Sequence, residues 1–250
     1  MIKGIDTSSH QGDINFDIVK TLVDFIIIKT TEGTGFTDAK FLRSQAEARR
    51  TGILLGYYHF ARPDLGNSPE AEADWFLSVC KPKVGEVLAL DYEPPSYSGD
   101  VVKWCKAWLD RVYSKTGCRP LIYLNQTQVK NFNWKPVIDA GYGLWLAAYI
   151  PTLPSTPWSV VAIQQTSSSG SINGIIGRVD TNIFFGDKKA FKKYGLLVDI
   201  DPCVSTKREL EDLKIKYNLL VEDHKISLKH ISNLLKALKA IDSLVNDSLK

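Results

Sequence analysis

No run of about 18 apolar residues occurs in this 250-residue chain, so no membrane span is expected. Cysteine is scarce. Cys80, Cys105, Cys118 and Cys203 form no Cys-x-x-Cys pair, and His10, His59, His224 and His230 are scattered. That spacing excludes a disulfide scaffold and leaves no metal site expected; the cysteines read as buried or idle thiols of a reducing cytoplasm. A dominant charge is missing too: 31 Lys and Arg against 28 Asp and Glu leave +3. This is too little to predict a nucleic-acid partner, although it allows mild attraction to a polyanionic surface. The opening residues Met1-Ile-Lys-Gly-Ile-Asp6 put a carboxylate where a signal peptide would need its apolar core, so synthesis without a signal peptide is expected. With 44% hydrophobic and 24% charged residues the chain falls in the range of ordinary folded domains.

What is present is alternation. Short apolar runs over 2–6, 25–29, 53–60, 87–92, 120–124, 144–149, 160–164 and 178–184 predict strands, several of them covered on both faces. Helical patterns over 16–23, 39–51, 69–79 and 101–115 separate the first five. After the fifth strand the connections become short and rich in Pro, Ser and Gly. The expected fold is α/β: an irregular TIM-like (β/α) barrel whose second half lacks helices. A doubly wound open sheet would want a dinucleotide-type glycine turn, and Gly33-Thr-Gly35 lacks both the third glycine and the strand-turn-helix setting.

The pattern changes near residue 197. Residues 1–196 form the barrel and 197–205 a linker, and from Thr206 to Lys250 there is neither Gly nor Pro. Leu210, Leu213, Tyr217, Leu220, His224, Ser227, Ile231, Leu234, Leu238, Ile241 and Val245 follow alternating steps of four and three. A helix of roughly 40 residues would extend about 60 Å. It would either lie back on the barrel or pair in a coiled coil with another chain.

Carboxylates gather at expected strand ends. Asp6 closes the first strand, Asp91 and Glu93 close the fourth, and Asp180 lies in the eighth. In a closed barrel the first and last strands are neighbours, and active sites sit at the C-terminal ends of the strands. Asp91 and Glu93, two apart in extended chain, point to one side. Four converging acids suit either a hard cation or the divided roles of glycoside cleavage, where one carboxyl keeps its proton. Tyr57, Tyr58, Phe60, Tyr92, Tyr123, Trp145 and Tyr149, also near strand ends, favour sugar, since rings offer flat apolar platforms.

Six motifs then stand in order. They are Gly4-Ile-Asp6-Thr-Ser-Ser-His10-Gln11-Gly12, Lys29-Thr-Thr-Glu32-Gly33, Gly56-Tyr-Tyr58-His59-Phe60-Ala61-Arg62-Pro63, Leu90-Asp91-Tyr92-Glu93, Ile122-Tyr123 and Gly177-Arg178-Val179-Asp180-Thr-Asn182. Together they resemble the glycoside hydrolase family 25 lysozymes, the Chalaropsis-type muramidases, over about three quarters of the chain. The resemblance implies cleavage of the β-1,4 bond from N-acetylmuramic acid to N-acetylglucosamine in bacterial peptidoglycan, without cofactor or metal. It assigns the general acid to Glu93 and the partner carboxylate, stabilising charge or orienting the substrate's acetamido group, to Asp91. Asp6 and Asp180 complete the acid floor, and Tyr58, Tyr123, Trp145, Glu32 and Gln164 fall at sugar-contacting positions. The segment Ile163-Gln164-Gln165 stands where relatives usually carry Trp-Gln-Tyr, so subsites of different shape are expected.

A phage endolysin or virion-associated lysin is implied, reaching the wall through a pore or on a virion. Residues 206–250 would provide self-association or attachment. A peptidoglycan amidase or peptidase would need a zinc set or a Cys/His pair, neither of which is visible. A non-catalytic glycan-binding or virion structural barrel would have no need of a proton donor.

Overall fold

Phe25-Ile-Ile-Ile-Lys-Thr-Thr-Glu32 is β-branched or aromatic at most positions, the composition of a strand covered on both faces. It forms one strand of a closed sheet in the computed structural model, which describes residues 1–93 and 97–197 and, further on, 214, 217, 218, 220–222, 224–234 and 236. The strands are β1 (Ile2–Thr7), β2 (Phe25–Glu32), β3 (Phe36–Thr37), β4 (Leu54–Phe60), β5 (Val87–Asp91), β6 (Leu121–Asn125), β7 (Leu144–Ala147), β8 (Val161–Gly170) and β9 (Val179–Phe184). Because β1 pairs with both β2 and β9, eight of them close into a barrel, and β3 is a short antiparallel addition to β2.

Helices α1 (Phe16–Val19), α2 (Phe41–Thr51), α3 (Pro69–Cys80) and α4 (Val101–Thr116) fill the early connections. Asp100 caps the start of α4 by accepting from Lys103 N–H, and Gly117 ends it in the left-handed region. Trp104, Trp108 and Val112 then bury against the strands. Between β6 and β7 come the short α5 (Gln126–Asn131) and α6 (Lys135–Asp139), and no helix separates β7, β8 and β9. The second half is thus as poor in helix as its composition predicts.

One feature departs from a regular βα barrel. β9 runs antiparallel to both neighbours, β8 and β1. The 171–178 connection is too short for a parallel crossover, which takes a dozen residues or more. The consequence reaches the acids: Asp180 lies near the start of β9, and only the reversed direction brings it to the same rim as the ends of the other strands.

Alternation divides the apolar residues into two cores. Phe25, Ile27, Val87, Ala89, Leu121 and Phe184 fill the barrel, whereas Ile26, Ile28, Leu88, Leu90 and Ile122 face the helical shell. The final helix of this unit, α7 (Lys188–Tyr194), closes the far end, with Phe191 at 4.9 Å from the Phe25 ring and 5.3 Å from Phe184 between centroids. Gly4 is required opposite: a Cβ there would come within 2.4 Å of the Phe25 ring.

The chain divides into two units, Met1–Ile200 and Asp201–Lys250. All described residues from 214 to 236 are helical. Most of the expected linker and the seam positions Leu210, Leu213, Leu238, Ile241 and Val245 lie outside the described residues. Among the described residues no helix is long and apolar enough to cross a membrane.

Candidate active site

Strand geometry brings the four acids to one rim. Asp6 and Asp180 are direct cross-strand partners on β1 and β9. Residues so paired have side chains on the same face within about 5.5 Å at Cβ. Asp91 ends β5, and Glu93 follows two residues later on the same side, its carboxyl hydrogen-bonded to that of Asp91. Asp6 and Asp91 are buried, Asp180 is half-buried and Glu93 is exposed at the mouth.

Burial and mutual proximity raise every carboxyl in the group. Asp6 is pushed up to about 8, first by burial and then by the charge of Asp180. Burial, then the charges of Glu93 and Asp6, hold Asp91 well above the ordinary range. Glu93 is raised by burial of its inner side and by Asp180, against the hydrogen bond from Asp91 and the charge of Lys29. Asp180 is raised by burial, opposed by its hydrogen bond with Asp6. The acids therefore form two hydrogen-bonded pairs, each able to keep a proton near neutral pH, and each titrates as a unit. A hard cation would require the opposite, ionised oxygens turned toward a common point. Among the described residues no group of His, Cys, Asp or Glu is arranged to hold a metal ion.

Among the described residues, Asp91 Oδ1 is buried and has no donor directed to it. An unsatisfied buried acceptor costs about 1–3 kcal/mol.

The aromatic residues have a second use beside forming a wall. Trp145 packs edge-on against Tyr123 and Tyr58, with centroids 4.9 and 6.3 Å away. Its indole N–H donates to Asn182 Oδ1 at 2.8 Å, and Asn182 Nδ2 donates to Asp6 Oδ2 at 2.7 Å. Tyr123 and Tyr149 hydroxyls both donate to Gln165 Oε1 at 2.9 Å, and Gln165 Nε2 donates to the same Asp6 Oδ2 at 3.0 Å. Tyr123 and Trp145 are buried, so their faces are mostly spent on the wall; Tyr149 is exposed.

Glu32 stands at the end of β2, gripped at 2.7 Å by both Lys29 and Arg62. Burial works against its charge, but these two cations hold its pKa below the ordinary range. Lys29 in turn lies 4.7 Å from the Phe60 ring centroid and lowers both Asp91 and Glu93. Glu32 thus reaches the acids through Lys29. Gln164 is not brought to them: its amide donates to the backbone oxygens of Ala148 and Ile150 at 2.7 and 2.9 Å, on the other face of β8.

Gln165, Asn182 and Lys29 carry the network although none stands among the residues expected from sequence. The signal for them was the period of two: Ile163 and Gln165 share the inner face of β8, as Asp180 and Asn182 share that of β9.

The sequence matches glycosyl hydrolases family 25 over residues 5–175. The autolytic lysozyme of Clostridium acetobutylicum is 30% identical over 191 residues, covering 73% of this chain and 56% of that protein. Lysozyme M1 of Streptomyces globisporus is 29% identical over 206 residues, covering 74% of this chain and 68% of that one. This chain therefore spans little more than half the length of the clostridial relative. A crystal structure of a bacterial lysozyme from Streptomyces coelicolor superposes with a TM-score of 0.69 at 28% identity, covering 78% of this chain and 96% of that one.

Proposed function

The chain belongs to glycosyl hydrolases family 25, and from that premise we propose that it is a lysozyme, an N-acetylmuramidase that hydrolyses the β-1,4 bond between N-acetylmuramic acid and N-acetylglucosamine in peptidoglycan. The observation that carries this reading is the Asp91–Glu93 pair: two hydrogen-bonded carboxyls with one orphaned, buried oxygen at the barrel mouth.

Burial favours the neutral form of Asp91, so in the free protein the shared proton sits toward Asp91. A substrate amide N–H donating to Asp91 Oδ1 stabilises the Asp91 anion and shifts the proton to Glu93. Glu93, at the mouth, delivers it to the leaving glycosidic oxygen as the bond to the muramic acid carbon breaks. The ionised Asp91 then lies beside the positive charge developing at that carbon. Water completes the cleavage, and its proton restores the pair. A general acid so placed commonly supplies about a hundredfold to ten-thousandfold in rate.

The substrate places the enzyme at the bacterial wall. In our reading it is an endolysin or virion-associated lysin that arrives through a pore or on a virion. Residues 206–250 supply self-association or attachment, supported by the heptad spacing.

The test is digestion of purified peptidoglycan with mass analysis of the new reducing ends. Muramic-acid ends are expected; glucosamine ends, or no release, would overturn the assignment.

A further inference from the structure

The two carboxyl pairs are not equivalent. In the Asp6–Asp180 pair, hydrogen-bond partners identify which acid holds the proton. Trp145 can only donate, so its indole N–H fixes Asn182 with Oδ1 toward Trp145 and Nδ2 toward Asp6. Asp6 Oδ2 accordingly accepts from Asn182 at 2.7 Å, and from Gln165 at 3.0 Å. With two donors aimed at it, Oδ2 has no room for a proton of its own. Asp6 Oδ1 remains, and the direct cross-strand partner is Asp180.

We infer that Asp6 is a positioning residue that acts as a neutral acid, with its Oδ1–H donated to the Asp180 carboxylate and its Oδ2 clamped by Asn182 and Gln165. It acts on the reaction through Asp180. Held by this hydrogen bond, Asp180 is the ionised member of its pair, and its charge raises Glu93, favouring transfer of the shared proton to the acid when substrate binds. A second anion at Asp6 would disorder that arrangement through repulsion. The inference deepens the muramidase reading and rests on it for its catalytic meaning, though the protonation state itself does not depend on any substrate.

Of the groups that face Asp6, the Asn182 and Gln165 amides favour its anion, while burial and the ionisable groups around it favour a proton and outweigh them. Asp180 stands on β9, Asp91 on β5, Tyr58 on β4 and Tyr123 on β6, with Tyr149 just beyond β7. The Asp180 carboxylate disfavours a further negative charge, Asp91 holds the shared proton of its own pair, and the tyrosines are neutral, pushed up by burial. Lys29 on β2, which lowers Asp91 and Glu93, is engaged with Glu32 at 2.7 Å. Asp6 itself is pushed up to about 8 by burial and by Asp180.

The experiment compares the full-length protein with Asp6→Asn and Asp6→Ala. Asparagine imitates the neutral acid: its amide N–H can donate to Asp180 while its oxygen accepts from Asn182 and Gln165. Two readouts decide. First, a carboxyl pushed up to about 8 when folded, from about 3.9 when unfolded, stabilises the fold below the lower value, and that contribution is lost as pH rises toward the higher one. The melting temperature of the wild type should therefore fall more steeply between pH 5 and 8 than that of Asp6→Asn. Second, Asp6→Asn should turn over peptidoglycan at least about tenfold faster than Asp6→Ala, the worth of a charge-assisted hydrogen bond. Coincident melting slopes, or an asparagine variant no faster than alanine, would overturn the inference. The melting comparison needs only the asparagine variant and no substrate. If the wild type releases no reducing ends, the muramidase reading fails while the melting slopes still decide the state of Asp6.

Discussion

A carboxyl that shares its proton with a neighbour titrates as half of a pair, and changing either member changes both. This gives Asp91→Asn a definite sign. The asparagine amide donates to Glu93 without ever holding the shared proton, so Glu93 alone must keep it, and a donated hydrogen bond favours its ionised form. The rate should fall, and the alkaline limb of the pH–rate profile should move to lower pH by more than about one unit. A pH–rate series on peptidoglycan checks this; an unmoved limb would mean that Asp91 does not share the proton of Glu93. Such pairing was only partly legible in the residues. That Asp91 and Glu93 share a side follows from their spacing, and closure makes the strands of Asp6 and Asp180 neighbours, though their meeting at one rim also needs the reversed direction of β9. The amides were not legible as partners, because Gln164 and Gln165 are the same residue type one position apart. The observed register assigns Gln165 to the inside and Gln164 to the backbone of the loop after β7. His59 shows the converse, a motif residue spent on packing. It is fully buried, hydrogen-bonded at 2.8 Å to both Glu72 and Thr31 and stacked on Trp108.

At the scale of elements, each of the eight barrel strands was marked by a short apolar run, clearest where both faces are buried, as in β5; β8 was readable only in its first half, since Gln165–Gly170 is polar. The direction of the last was not. Composition cannot distinguish a parallel from an antiparallel strand; the short 171–178 connection does, and it decides which rim Asp180 reaches. The β3 addition and helices α5, α6 and α7 are too short to develop a periodic signal. Barrel closure also makes a demand at Gly4. The Phe25 ring occupies the space a side chain there would need, and Phe191 packs against that ring. Gly4→Ala should overpack the interior and cost about 1–3 kcal/mol, visible as a lower urea midpoint with unchanged slope. A wild-type midpoint would show that the ring has room to move aside.

For the whole molecule, the acids and their partners all lie in the unit Met1–Ile200. Cleavage of short soluble glycan should survive truncation near residue 200. The remaining residues carry mixed charge and one apolar seam, with His224 and Ser227 as polar interruptions that would set register at some cost in stability. Self-association through that seam would gain avidity for an insoluble, repetitive glycan without any new sugar contact. Sedimentation of the full chain beside the truncated one checks this, and a full-length monomer at micromolar concentration would reject it. The seam and its heptad spacing belong to the sequence, since five of its eleven positions lie outside the described residues.

The proton donor is the centre of the proposed chemistry, and Glu93→Gln tests it most directly. The variant keeps the shape of the side chain and removes only the transferable proton. With wild-type melting temperature and undiminished binding to insoluble peptidoglycan, it should lose about a hundredfold to ten-thousandfold in the release of muramic-acid reducing ends. Release at the wild-type rate by the folded variant would place the proton donor elsewhere.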